Sequence, residues 1–299
     1  LKKSIMAGQL KEVRNRISSV QSMQQITKAM KMVSAAKFRR AQDAILQMRP
    51  YARKLQEMLS NIVSNNADNE GAMSLATERT IEKVLIFVLT SDRGLAGAFN
   101  ANTIKLTKTL IGEKYSEQHK KGNVTIWNMG KKGYETLTKA GYKTDDTYKD
   151  IFMHLSFENV QKAAQAATKA FSDKEFDVVE LVYSQFKNAA TQVFTVERFL
   201  PIPKIESQGE KLKADFIFDP EKNELINELM PKILNTQLYK AVLDSNASEH
   251  GARMTSMDKA SENANEMLRD LRLSYNRARQ AAITTELNEI VSGAAALEG

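Results

Sequence analysis

The sequence predicts an α/β fold combined with a long antiparallel coiled coil: helices at the two ends of the chain form one shaft, and the middle folds as an α/β domain. Three observations predict it. From Phe38 the apolar or small residues Phe38, Ala41, Ile45, Met48, Ala52, Leu55, Leu59 and Ile62 alternate steps of three and four, as a two-helix seam requires. Near the other end, Met254, Met257, Ser261, Ala264, Leu268, Leu271, Tyr275, Ala278 and Ala282 repeat that rhythm. Between the seams, apolar runs of strand length alternate with helical patterns, the sign of a layered domain with a mostly parallel sheet. Two seams separated by a globular insert are most simply satisfied by packing on each other. Residues 1–63 are then the N-terminal shaft helix, 64–218 the central domain with its linkers, and 219–299 the C-terminal shaft helix.

The first helix is expected from about residue 7 to 63, roughly 85 Å at about 1.5 Å per residue. Its early apolar positions are Leu10, Val13, Ile17 and Val20, then Met23, Ile26, Met30 and Val33. The extra step of three predicts a stammer, which locally changes the supercoil. Pro50 lies inside the run, where it removes a backbone donor and kinks or loosens the helix. The alternative is a helix that ends at Arg49, but the seam continues in register beyond it.

Asn65 to Thr80 is polar and rich in turn formers, so it reads as a linker. Val84 to Thr90 follows as a continuous apolar run, the kind buried on both faces of a parallel sheet. Further strands are expected at Val124 to Trp127, Val178 to Tyr183 and Thr191 to Phe199, with helices near Asn102 to Gly112, Lys132 to Ala140 and Phe157 to Phe171. The last two strands, separated by Ser184 to Ala190, read as a hairpin at one edge. Asp219 as N-cap and Pro220 at the first helical position open the second long helix, which runs to about Ala296.

The 299 residues suffice for a full core with extended helices besides. The net charge of +7 suits nucleic acid or an acidic protein surface as partner. Its distribution says more. Leu1 to Ile62 carries thirteen basic residues against three acidic, whereas Gly251 to Gly299 carries six against seven. With no cysteine, disulfides and thiolate metal ligands are excluded, and the three histidines have no metal-binding spacing. No apolar stretch approaches the roughly 20 residues needed to span a bilayer. No catalytic, cofactor-binding or metal-binding residues are therefore assigned.

Three signals have chemical as well as plain readings. Ser91-Asp92-Arg93-Gly94-Leu95-Ala96-Gly97 follows a buried strand and opens a helix, where phosphates can bind, yet it is neither the dinucleotide fingerprint nor a P-loop. Glycines at a strand-to-helix turn more often serve backbone angle and close packing. The basic face of Lys28, Lys31, Lys37, Arg39, Arg40, Arg49, Arg53 and Lys54 could grip nucleic acid, meet an acidic protein, or simply be solvated. Methionines at the seams fill a core, and also permit slip against a neighbour.

The segments Ile17 to Lys37 (ISSVQSMQQITKAMKMVSAAK) and Tyr275 to Leu297 (YNRARQAAITTELNEIVSGAAAL), with TSDRGLAGAFN at Thr90 to Asn100, resemble the ATP synthase gamma subunit family in the right order and over nearly the whole chain. The resemblance begins near Met6-Ala7, so Leu1 to Ile5 reads as an extra leader. It implies a shaft of the N- and C-terminal helices with a central Rossmann-like α/β domain. It implies a rotor that performs no bond chemistry, couples rotation of a c-ring to conformational cycling of beta catalytic subunits, and needs no cofactor. The partners implied are three alpha and three beta subunits, the epsilon subunit (mitochondrial delta) and the c-ring, with no nucleic acid and no direct membrane span. Carried over by position, contacts with the beta catch loop fall on Arg279, Gln280 and Thr284, with Met30 on the facing helix. A basic collar facing beta falls on Lys28 and Lys31. The c-ring-facing loop falls on Gln185, Phe186, Lys187 and Asn188. The location implied is peripheral, on the cytoplasmic side of a bacterial membrane or the matrix side of the mitochondrial inner membrane. The competing readings are a coiled-coil nucleic-acid-binding hinge, which lacks the P-loop of an ATPase head, and a nucleotide-dependent enzyme in the α/β domain.

Overall fold

The computed structural model describes residues 2–65, 75–189, 191–202 and 222–295, with side chains except at 2–9, 56–57, 59–65, 222–228 and 295. In chain order come α1 (Lys2–Asn65), β1 (Val84–Leu89), α2 (Phe99–Lys114), α3 (Ser116–Lys120), β2 (Val124–Met129), α4 (Lys131–Lys139), β3 (Thr144–Asp145), α5 (Phe157–Ser172), β4 (Val178–Phe186), β5 (Gln192–Leu200) and α6 (Lys222–Ala295). They form two compact units, residues 1–33 with 254–299, and residues 34–253. Both long helices contribute to each unit.

In the first unit α1 and α6 pair antiparallel in one constant register. Arg14 donates to the Tyr275 hydroxyl at 3.1 Å, Gln24 to the Asn265 side chain, and Lys31 pairs with Asp258. Each advance along α1 is matched by an equal retreat along α6. Ile17, Val20, Ala264, Leu268 and Leu271 form the apolar part of the seam. The predicted stammer is absent. The covered positions of α1 continue as Ile17, Val20, Gln24, Thr27 and Lys31, and in the second unit as Ser34, Phe38, Ala41 and Ile45, with threes and fours alternating unbroken. Met23, Ile26 and Val33 are turned outward, 58%, 59% and 58% exposed. Counting apolar residues misread the phase because the seam is polar here. Asn265, Ser261 and Asp258 on α6 supply the bonds that make polar seam residues tolerable.

In the second unit a five-stranded sheet runs in the order β3-β2-β1-β4-β5. Its strands are parallel except β5, which is antiparallel to β4. The central strand β1 has all six residues buried because both faces are covered. Val84, Ile86 and Val88 pack on Ile104 and Ile111 of α2 and Leu137 of α4. Leu85, Phe87 and Leu89 share a core with Val160, Ala163 and Ala167 of α5 and with Leu234, Leu238 and Ala241 of α6. Ser156 caps α5 by accepting the Asn159 N–H at 3.3 Å. Only glycine fits at Gly130, where φ is 110° and an added Cβ would lie 2.1 Å from the Thr90 carbonyl oxygen.

Helix α1 does not stop at Arg49. It continues through Pro50, an exposed position, to Asn65. The short α3 and β3 were not anticipated, being too brief to show a period. The expected caps Asp219 and Pro220 lie outside the described residues, as do the seam side chains Leu59 and Ile62. The hairpin connection is shorter than expected, because β4 extends to Phe186 and β5 begins at Gln192.

Candidate functional site

In the first unit, the side chains of Arg279, Gln280 and Thr284 stand on the solvent side of α6, whereas Tyr275, Ala278 and Ala282 turn to the seam. Gln280 and Thr284 are one turn apart, and the Thr284 hydroxyl donates to the Gln280 carbonyl at 3.0 Å. Arg279 makes no hydrogen bond or ion pair among the described residues, so its planar fork of donors is open to a partner. Met30 is not brought to this group. It precedes Lys31, whose partner Asp258 lies some twenty residues before Arg279, about 30 Å of helix at 1.5 Å per residue. The constant register therefore separates Met30 from the catch-loop positions with which the sequence reading grouped it. Lys28 and Lys31 also differ. Lys28 is exposed, while Lys31 is half-buried and its charge is met by Asp258.

Several large apolar side chains of the first unit lie at the surface. Met32, Leu273, Ile283, Ile290 and Val291 are exposed by 72%, 50%, 48%, 67% and 66%.

In the second unit, the four positions assigned to the hairpin loop divide. Gln185, Lys187 and Asn188 are exposed. Phe186 is 5% exposed and packs edge to face on Phe38 of α1, within a cluster that includes Ile45, Leu243 and Ala247. It cannot present itself to a partner and instead anchors the hairpin to both long helices. Gly251 makes room for that anchoring, because a Cβ there would come 3.2 Å from the Ala189 carbonyl oxygen and 3.3 Å from the Phe38 ring.

The turn after β1 is the second candidate, and its geometry shows the turn used within the chain. Phosphate sites present backbone N–H donors to an anion. Here the turn presents carbonyls to a cation: Arg253 of α6 donates to the Arg93 carbonyl at 3.1 Å and to that of Gly94. The same guanidinium meets Glu249 at 2.8 Å. Ser91 is closed off as well, since its N–H donates to Asn100 at 2.9 Å and its hydroxyl to the Arg93 carbonyl at 2.6 Å. Burial pushes the Glu249 carboxyl up, against the pull of Arg253. Burial, then Lys37 and Arg253, holds the neighbouring His250 down to about 4. Sequence reasoning missed this contact because Arg253 lies about 160 residues beyond the turn. Among the described residues no group of His, Asp or Glu could hold a metal ion, and no helix is long and apolar enough to cross a membrane.

Comparison with known proteins decides what these surfaces belong to. The family model described as ATP synthase matches residues 9–297. The ATP synthase gamma chain of Cytophaga hutchinsonii is 53% identical over 292 residues, covering 96% of this chain and 98% of that protein. The chain belongs to the ATP synthase gamma family. The gamma chain of Flavobacterium johnsoniae is 51% identical over 290 residues, covering 97% and 99%. Among solved structures, a chain of the Euglena gracilis mitochondrial ATP synthase has a TM-score of 0.65 at 21% identity, covering 97% of this chain and 95% of that one. A chain from the Tetrahymena thermophila enzyme, described as central stalk and c-ring, has a TM-score of 0.57 at 24% identity, covering 79% and 99%. Both likenesses extend the agreement to the fold of paired long helices with a central sheet. None of these relatives supports the nucleic-acid hinge, and the family is that of a subunit of an enzyme complex.

Proposed function

We propose that the chain is the central rotor subunit of a proton-translocating ATP synthase, coupling rotation of a c-ring to the conformational cycle of three catalytic beta subunits. The observation that carries this reading, beside family membership, is the set of exposed apolar side chains on α1 and α6 of the first unit, which reaches to Ile290 and Val291. A pair of helices surrounded by water alone gains nothing from that apolar surface, whereas one turning inside a sleeve of alpha and beta subunits meets partners without being locked by salt bridges. The subunit does no bond chemistry. It acts by differential contact, since a shaft equally complementary to every beta conformation would shift no equilibrium.

Within this reading Arg279, Gln280 and Thr284 contact the beta catch loop, and Arg279 and Gln280 form hydrogen bonds that break and re-form at each step. Met30, Lys28 and Lys31 belong to a separate collar facing beta. Gln185, Lys187 and Asn188 face the c-ring, beside the epsilon subunit. Residues 1–63 and 219–299 act as shaft, and 64–218 as the domain that seats it. The subunit is peripheral to the membrane, and its bacterial relatives favour the cytoplasmic face. The deciding experiment is purification through a tag on this chain. One copy per three alpha and three beta subunits, with the c-ring retained in mild detergent, is expected; recovery without alpha and beta would overturn the assignment.

A further inference from the structure

We infer that the groove between α1 and α6 beside the β4–β5 turn binds an acidic peptide segment of a partner protein, with Arg53 and Lys240 taking side-chain carboxylates and Asp244 accepting a backbone N–H. The groove holds about 640 Å³; Arg49, Arg53 and Lys54 of α1, Gln185 of β4, and Lys240 and Asp244 of α6 line it together with the apolar Leu46, Pro50 and Ala52 of α1. At its wall the Asp244 carboxylate is 1% exposed. One oxygen accepts from Arg49 at 3.3 Å, the Phe186 backbone N–H and Lys240 also favour the charged carboxylate, and Oδ2 itself has no hydrogen-bond partner among the described residues. A buried carboxylate oxygen left without a donor is costly, so the site lacks a hydrogen-bond donor that a ligand can bring. Arg49 is already committed, since it also donates to the Phe186 carbonyl at 2.5 Å. Arg53 and Lys240 have no hydrogen-bond or ion-pair partner among the described residues.

The arrangement fits a peptide better than a phosphate. Arg49 and Arg53 are about 6 Å apart in rise along α1, and Lys240 faces the same groove from α6. Backbone N–H groups here are spent within the helices, and an unpartnered carboxylate oxygen repels a ligand that carries only acceptors. An acidic peptide brings both carboxylates for the rim and N–H donors for Asp244. The groove adjoins the turn proposed to face the c-ring. The inference rests on that proposal only for which partner supplies the segment, and not for the binding itself.

The test uses the full-length chain and a fluorescein-labelled hexaglutamate peptide, with binding read by anisotropy. Arg53→Gln with Lys240→Gln should raise Kd by about tenfold or more, as expected for loss of charge-assisted hydrogen bonds. The control Arg39→Gln with Arg40→Gln removes the same charge from exposed positions on α1 and should leave Kd within about twofold. Unchanged thermal unfolding of both pairs excludes a folding defect. Equal weakening by the two pairs, or no binding at all, overturns the inference. So does a labelled thymidine hexanucleotide that binds at least as tightly and loses affinity in the first pair alone, which would make the ligand a phosphate. Co-purification with alpha and beta subunits, measured on the same variants, reports separately on the proposed function.

Discussion

Thr27 and Ser261 meet hydroxyl to hydroxyl across the seam of the paired helices, at 2.8 Å and both buried. Thr27 donates to the Gln24 carbonyl at 3.0 Å, so the single Ser261 proton is shared between the Thr27 oxygen and the Met257 carbonyl, each at 2.8 Å. The pair fixes register without leaving a polar atom unsatisfied. Replacing both partners by shape-matched apolar residues removes the bond without orphaning a donor. Thr27→Val with Ser261→Ala should therefore destabilise less than the two single changes added together. The expected coupling is about 1 kcal/mol, measured by a double-mutant cycle of thermal unfolding. Strict additivity would mean the hydroxyl pair contributes nothing.

Arg253→Ala leaves Glu249 buried beside two carbonyls that have lost their donor. A cost of about 3–5 kcal/mol is expected, with faster amide exchange in the 93–97 turn. Arg253→Ala with Glu249→Ala should recover part of it. Equal exchange rates in the variant and the parent chain would show that the turn is held by other contacts.

His250 gives stability a pH dependence whose sign follows from its lowered pKa. Its ordinary value is 6.5, and in the folded chain it is held down to about 4. Between those values the unfolded chain takes up a proton that the folded chain refuses, so stability falls as pH drops from about 6.5 to 4. Asp244 and Glu249, whose carboxyls burial pushes up, act oppositely: their contribution falls as pH rises above the ordinary carboxylate range. Subtracting the curve of His250→Gln from that of the parent chain isolates the histidine. The difference should be constant above about pH 6.5 and shift progressively against the parent chain as pH falls to about 4, and a flat difference would refute its lowered pKa.

Arg279→Ala with Gln280→Ala removes exposed side chains, so folding should be unaffected while coupled ATP synthesis falls by about tenfold, the size expected for losing charge-assisted contacts. Full-rate synthesis by the assembled double variant would remove these residues from the proposed catch-loop contact.

Gly130→Ala forces a Cβ to within 2.1 Å of the Thr90 carbonyl oxygen at a φ of 110°. The expected cost is about 3 kcal/mol or more, seen as a lowered Tm. Gly122→Ala is the control, strained in φ but with open space around it, and it should cost less.

The C-terminal seam was legible residue by residue. Met257, Ser261, Ala264 and Leu268 are buried, with Leu271, Tyr275, Ala278 and Ala282 half-buried at the same spacing. The N-terminal seam was legible only where its residues are apolar. From Gln24 to Ser34 the correct phase needed the partner side chains, because a glutamine, a threonine and a lysine enter a seam only when Asn265, Ser261 and Asp258 stand opposite. The separation of Met30 from Arg279 along the paired helices was not legible for a related reason, since facing helices do not imply facing residues until a register is known.

The sequence by itself determined the architecture and the family. Local periodicity sets helix and strand, and alternation of type sets the layers. Three motifs in order distinguish this chain from other helical proteins. Tertiary structure alone decided the register, the burial of Phe186 and the seating of Arg253 on the turn after β1. Those depend on which distant residues meet, and that is set by shape and by satisfying buried polar groups rather than by any local pattern along the chain.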